Sequence, residues 1–353
     1  MLKRTLLAAF TVCCFGLFAA AQAADLLVLQ TKWLADAQSA GFYVAQAKGF
    51  YKQAGFDVTI LPGGPDITPS EVLASGKADV AVDWMPSALA VRDKGAPLVN
   101  IAQMFQHSGL QLACRRDSGI RRPADFKGKR LGVWYAGNEY PFLAWMAKLG
   151  YRTDGANPDV TVVRQGAGVE LLTGKQADCI STMTYNEYGQ LLDAGMKPSE
   201  LVIFRYDNLG VAVLEDGLYV LQPTLSDPAK LERLARFLRA SVAGWRYATA
   251  PAHEAETLSI VLRNASPGMT DRAHQQRMLR AVARLIPGSR RGLGYLETAD
   301  YQRTVDVLSS AASNPVVAQK PEGAWTHAVW KKAFPRQTAG AADPPGAATP
   351  VAR

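Results

Sequence analysis

Histidine and cysteine are scarce in this 353-residue chain, and most recognisable catalytic motifs are missing. The four histidines, His107, His253, His274 and His327, show neither an H-E-x-x-H motif nor an i, i+4 pair, so their spacing gives no metal centre. There is no G-x-S-x-G nucleophile elbow, and Gly63-Gly64 is too short for a phosphate-binding loop. The residues thus offer no catalytic set, no metal site and no cofactor site. Of the four cysteines, Cys13 and Cys14 fall in the first 23 residues, which leaves Cys114 and Cys179. Two cysteines make no disulfide framework. Each sits in its own apolar strand-like run, so two separate buried thiols are expected. A bridge formed in an oxidising compartment is the alternative. Clustered basic patches are also absent. Arg121-Arg122, Arg290-Arg291 and Lys331-Lys332 lie far apart, so the net charge of +8 reads as a solvated surface and not as a nucleic-acid footprint.

The N-terminus carries more information. Lys3 and Arg4 precede an apolar stretch, Leu6 to Ala20, and Ala21-Gln22-Ala23 supplies an A-x-A site. This pattern predicts a cleaved signal peptide over residues 1–23 and export to the periplasm. The stretch is short for a membrane span, which takes about 20 apolar residues; an uncleaved anchor is the competing reading. No later stretch approaches spanning length.

The chain also contains itself twice. Glu71-Val-Leu-Ala-Ser-Gly-Lys-Ala-Asp-Val-Ala-Val82 returns as Glu170-Leu-Leu-Thr-Gly-Lys-Gln-Ala-Asp-Cys-Ile-Ser181. Each copy reads as a short helix, a Gly-Lys turn and a strand opened by Ala-Asp. Strands are expected at 26–30, 56–61, 78–82 and 98–102, and again at 130–134, 160–164, 177–181 and 201–204, with helices between them. Short apolar strands separated by helical crossovers predict an α/β fold of two doubly wound lobes with parallel sheets. Residues 110–114 and 217–221 read as two crossover strands joining the lobes. The expected organisation is lobe 1 at 24–114 plus 218–336, lobe 2 at 115–217, and a disordered Ala/Gly/Pro-rich tail at 337–353.

In such folds ligands sit beyond the carboxyl ends of the strands, so the residues following each strand are the candidates. From the first half these are Trp33, Tyr43, Asp83 and Trp84. From the second half they are Trp134, Asn138, Glu139, Tyr185, Asn186 and Glu187. Aromatic rings with amides and carboxylates suit a flat heteroaromatic solute, stacked between rings and read along its nitrogen edge. Each candidate has a structural alternative. For Trp33 and Trp84 it is packing between lobes, although their place straight after strands favours ligand contact; for Asn138-Glu139 it is a helix cap with a first-turn acid, and for Asn186-Glu187 an ordinary first turn. Glu215-Asp216 precedes the return strand and is expected to face water; reach to the hinge side of the cleft is the alternative.

At Trp33, Ala40-Gly-Phe-Tyr-Val-Ala-Gln-Ala-Lys-Gly-Phe-Tyr51, Gly55-Phe-Asp-Val58, Gly76-Lys-Ala-Asp79, Gly128-Lys-Arg-Leu-Gly132 and Met183-Thr-Tyr-Asn-Glu187, the chain resembles a group of periplasmic solute-binding proteins. These serve the nitrate, sulfonate, taurine and thiamin-pyrimidine ABC importers. Their fold is shared with the fungal thiamin-pyrimidine synthase. The resemblance covers about 25–250. It implies a periplasmic-binding-protein type II-like fold and a monomer that closes on a small molecule, then hands it to an ABC permease at the inner membrane. The Trp-then-Gly-Phe-Tyr opening looks closest to binders of thiamin's aminopyrimidine precursors, which implies Trp33 as the stacking ring and Glu187 or Glu139 as reader of the amidine-like edge. A sulfonate-, nitrate- or taurine-type anion is the alternative solute, held by helix N-termini and cations such as Lys32 or Arg164. The synthase is the enzymatic alternative. Its pyridoxal-phosphate lysine, its histidine and its CCCFC segment look replaced by Asp83, Ser87 and Val211–Asp216, so no enzyme activity is expected.

Overall fold

A computed structural model describes residues 24–309 and 315–337. The expected signal peptide at 1–23 and the tail from 338 lie outside the described residues. Gln337, assigned to that tail, instead ends a short 3-10 turn, Pro335–Gln337.

Ten strands form two five-stranded sheets. The first contains β1 (Asp25–Gln30), β2 (Phe56–Leu61), β3 (Val80–Asp83) and β4 (Leu98–Gln103). The second contains β5 (Leu110–Arg115), β6 (Arg130–Val133), β7 (Thr161–Arg164), β8 (Cys179–Met183) and β9 (Leu201–Arg205). The last strand, β10 (Gly217–Leu221), returns to the first sheet. The orders are β2-β1-β3-β10-β4 and β7-β6-β8-β5-β9, so the internal repeat lands on equivalent strands, β3 and β8, each third in its sheet. All ten expected strands are present within a few residues.

The sheets are mixed, which corrects the all-parallel expectation. In each, the first three strands pair in parallel, whereas the fourth, β10 or β5, runs antiparallel to both neighbours. The reason is directional. The parallel strands end at the cleft, and a chain arriving from the other half begins there, so it must run the opposite way. For the same reason Leu110–Cys114, assigned to the end of lobe 1, pairs throughout with strands of the second sheet.

Helices α1 (Ala40–Ala47), α2 (Phe50–Gln53), α3 (Pro69–Ala74) and α4 (Met85–Asp93) connect the first sheet. Helices α5 (Tyr140–Lys148), α6 (Glu170–Thr173) and α7 (Glu187–Asp193) connect the second. The C-terminal part adds α8 (Pro228–Ala248), α9 (Glu254–Asn264), α10 (Arg272–Val282), α11 (Thr298–Ser309) and α12 (Ala328–Ala333). Asp227 caps α8 by accepting from Ala229 N and Lys230 N, with Pro228 at the first helical position. Helices α1 and α8 touch backbone to backbone: a Cβ on Gly244 would stand 2.1 Å from the carbonyl oxygen of Gly41, so neither helix tolerates a side chain at the crossing.

A second correction concerns the cysteines. Cys114 and Cys179 face each other in the β5–β8 ladder and form a disulfide, with Cα atoms 3.9 Å apart. Burial of both was expected; their pairing depends on which strands become neighbours, and the two runs are 65 residues apart.

Candidate functional site

The strand ends of the two sheets face each other, and a small, tightly closed cavity lies between them. Its walls are Trp33, Trp84 and Trp134, joined by Tyr185 and Met183, with Lys32, Gln38, Asn138, Asn186 and Glu187 as the polar groups. The two halves meet here directly: the rings of Trp33 and Trp134 make an edge contact with centroids 5.6 Å apart.

Local structure explains how each group is placed. The chain leaves β1 into an irregular segment in which Asp36 caps a 3-10 turn, Ala37–Ser39, by accepting from Gln38 N at 2.8 Å. That turn aims Gln38 inward, where its Nε2 donates to Asp216 at 2.8 Å. Trp84 follows β3 directly, and its indole N–H donates to the same carboxylate at 3.0 Å. After β6 the backbone turns through two left-handed residues, Ala136 (φ 59°) and Gly137 (φ 91°). At Gly137 a Cβ would meet the Ser87 hydroxyl at 2.4 Å, so the halves approach closely where this turn lies. Asn138 ties the turn together by donating to the Tyr135 carbonyl, and the Trp134 N–H is satisfied by the carbonyl of Gly166. After β8, Glu187 opens α7. Its carboxylate accepts from Met183 N and from the Asn186 amide, both at 2.9 Å.

The electrostatics are dominated by buried acids. Burial raises the Glu187 carboxyl to about 7, outweighing its hydrogen bonds. Burial likewise raises Asp216 to about 6, against the bonds from Gln38 and Trp84 and the charge of Lys32. Asp36 is pushed well up by burial, then by the nearby Glu187 and Asp216, although its bond from Gln38 N opposes this. Its second carboxylate oxygen has no hydrogen-bond partner, and neither does the Trp33 indole N–H. Lys32, the cation of the cavity wall, is 2% exposed and spends its ammonium on Asp83 at 2.6 Å.

Seven of the ten sequence candidates therefore share one cavity: Trp33, Trp84, Trp134, Asn138, Tyr185, Asn186 and Glu187. Three do not. Tyr43 is a core residue of α1. Asp83 lies behind the wall, where Lys32, Ser70, Ser87 and the Trp84 backbone N–H saturate it. Glu139 holds Gly137 N and faces a separate groove lined by Tyr135, Tyr140 and Asp93. Glu215 and Asp216 were expected in water and are instead 1% and 3% exposed. Glu215 accepts from Ser108, Gly109 N and Leu110 N, so it binds one crossover segment to the other. Gln38 escaped the sequence reading, although the rule that ligand groups follow strands points to the segment containing it.

Comparison with known proteins follows the same lines. A family model described as NMT1/THI5 like matches residues 36–255. The chain belongs to that family. One relative is a Haemophilus influenzae protein assigned to thiamine biosynthesis, 25% identical over 56% of this chain and 62% of its own length. Another is a formylaminopyrimidine-binding protein of Halalkalibacterium halodurans, 25% identical over 69% of this chain and 72% of its own. Fungal 4-amino-5-hydroxymethyl-2-methylpyrimidine phosphate synthases match at similar identity over shorter stretches, down to 32% of the relative's length for the one from Aspergillus parasiticus. Some of the first relatives are thus matched over less than two thirds of their length. Among solved structures, the aliphatic sulphonate binding protein of Escherichia coli superposes with a TM-score of 0.60 at 13% identity, covering 84% of this chain and 89% of that one. This establishes the two-lobed periplasmic-binding-protein fold for the family member described above.

Proposed function

We propose that this chain is the periplasmic solute-binding component of an ABC importer, and that its solute is a flat heteroaromatic with an amidine-like edge, such as an aminopyrimidine precursor of thiamin. The observation that carries the reading is Glu187, a buried carboxyl set among three indole rings between two halves of the molecule. An aminopyrimidine edge presents one N–H donor beside one ring nitrogen, and a carboxyl group matches it with two hydrogen bonds: one oxygen accepts from the amino N–H, and the second bond joins the other oxygen to the ring nitrogen through the acid proton. A carboxyl raised to about 7 keeps that proton available near neutral pH, whichever partner holds it. The rings supply stacking, worth about 1–3 kcal/mol per base on aromatic platforms. The relative described as a formylaminopyrimidine-binding protein, and the one assigned to thiamine biosynthesis, support the same solute class.

The anion reading fits less well. Lys32 is neutralised by Asp83, Arg164 pairs with Asp66 outside the cavity, and the wall carries the acid Glu187, with Asp216 bound directly behind the wall residues Gln38 and Trp84. Synthase chemistry fits less well still. Asp83 and Ser87 stand where the resemblance places the cofactor's lysine and the histidine, Asp83 is already saturated, and Val211–Asp216 contains no cysteine.

Function then follows from hinge closure. A solute that touches Trp33 and Trp84 on one side and Trp134 and Glu187 on the other stabilises the closed form through its differential affinity for that form. The closed monomer then docks on a permease at the inner membrane. A thermal-shift panel of aminopyrimidines, flavins, sulfonates and nitrate tests the reading, since a ligand of the folded state raises the melting temperature. Aminopyrimidines are expected to raise it in the wild type and not in Glu187→Ala. A response to sulfonates or nitrate alone would overturn the proposal.

A further inference from the structure

Helix α10 lies beyond the segment matched by the family model, and it reaches the cavity from outside. It is anchored to the first half: Gln275 Oε1 accepts from Ala37 N at 2.9 Å, and Ala35 and Ser266 exchange hydrogen bonds just upstream. From this base His274 extends across to α7 in the second half. Its Nε2 lies 3.0 Å from Asn186 Oδ1 and its Nδ1 3.2 Å from Asp193 Oδ2, while Arg277 also pairs with Asp193.

The direction of these bonds has a consequence for Glu187. Asn186 has one donor end and one acceptor end. Its Nδ2 donates to Glu187 Oε1, so its Oδ1 must point the other way, where His274 and Gln190 Nε2 serve it. Were the amide to flip, its N–H groups would face the Gln190 Nε2 donor and its oxygen would face the Glu187 carboxyl. Both ring nitrogens of His274 face oxygen atoms, Nε2 towards Asn186 Oδ1 and Nδ1 towards Asp193 Oδ2. The ring is 7% exposed, so each lost bond would leave a buried polar atom unpaired.

We propose that His274 is a positioning residue of the site: through Asn186 it fixes the Glu187 carboxyl towards the cavity, and by spanning from α10 to α7 it ties that arrangement to closure of the two halves. The proposal rests on the reading that the cavity holds a solute. Opening the cleft separates α10 from α7, releases Asn186 and lets Glu187 turn. A solute that engages Glu187 favours the amide orientation that His274 recognises, so occupancy and closure reinforce each other. A second clamp, Arg164 on Asp66 with the Thr68 hydroxyl on the Ala136 carbonyl, bridges the halves elsewhere, but it touches no residue of the cavity wall.

The test is a double-mutant cycle read by calorimetric titration with 4-amino-5-hydroxymethyl-2-methylpyrimidine as probe, on wild type, His274→Ala, Asn186→Ala and the double variant. His274→Ala is expected to raise Kd about 10- to 100-fold, and to add less than about threefold once Asn186 is alanine, because the histidine then has nothing to orient. His274→Gln, which restores a donor towards Asn186, is expected to recover part of the loss and covers the case in which the alanine variant folds poorly. Multiplying effects of the two single variants, or an unchanged Kd in His274→Ala, would overturn the proposal.

A ligand-free arm separates this failure from failure of the solute assignment. Spin labels at Lys52→Cys and Ala156→Cys, exposed positions on opposite halves, report the opening of the cleft. A longer mean distance in His274→Ala than in the parent supports the clamp even where the probe does not bind. An identical distance distribution overturns it.

Discussion

Raising the pH from 5 to 8 should destabilise the solute-free protein, and Glu187→Gln should remove a defined share of that loss. The folded chain holds the Glu187 proton up to about 7, against 4.5 for the free side chain, because burial penalises the charged form. The sign follows from linkage. A proton held more tightly in the folded state stabilises it fully below 4.5, and that stabilisation is lost as the pH rises through 7. Each tenfold step in proton affinity is worth about 1.36 kcal/mol, so between pH 5 and pH 8 Glu187 alone accounts for roughly 2.5 kcal/mol. With an unfolding entropy of about 2.1 cal/mol/K per residue, that shifts the melting temperature by about 4 °C in a protein of this size. Asp216, raised to about 6, and Glu215, raised to about 8, act in the same direction. The assay is scanning calorimetry of wild type and Glu187→Gln at both pH values. Comparing the pH-dependent differences cancels the hydrogen-bonding cost of the amide beside Met183 N and Asn186, which is the same at each pH. The variant should lose about 4 °C less than wild type. Parallel losses in the two proteins would show that Glu187 is already ionised at pH 5, and the proton-sharing argument for the solute would fall with it.

Two further outcomes follow from other parts of the structure. Trp33→Ala should weaken aminopyrimidine binding by about 1–3 kcal/mol, the usual value of a stacked base, and titration at constant pH measures it; unchanged affinity and stability would remove the ring from the site. Reducing the Cys114–Cys179 bridge, or Cys114→Ser with Cys179→Ser, opens a loop of 65 residues and should cost about 4 kcal/mol by chain entropy. Denaturant titration with and without reductant measures it, and coincident curves would show that the bridge adds nothing to the fold.

Much of this architecture is visible along the chain. The repeat at 71–82 and 170–181 fixes two equivalent units because the same helix, Gly-Lys turn and strand must be built twice. The aromatic and amide residues after β1, β3, β6 and β8 mark the cavity because a strand that ends at a cleft delivers its next residues there. Glu139 and Tyr43 fit the same rule and still miss the hollow. Position after a strand locates the loop, but the turn at Ala136-Gly137 and the packing of α1 decide where each side chain points.

What the sequence determined by itself is therefore local: periodicity, turn chemistry and the order of elements, all set by interactions within a few residues. The direction of β5 and β10 in their sheets, the meeting of Cys114 with Cys179, the burial of Glu215 and Asp216, and the reach of His274 to Asn186 were decided only by the tertiary structure. Each of these depends on which distant segments become neighbours. That choice is made by the burial of apolar surface over the whole chain, so no window of neighbouring residues contains it.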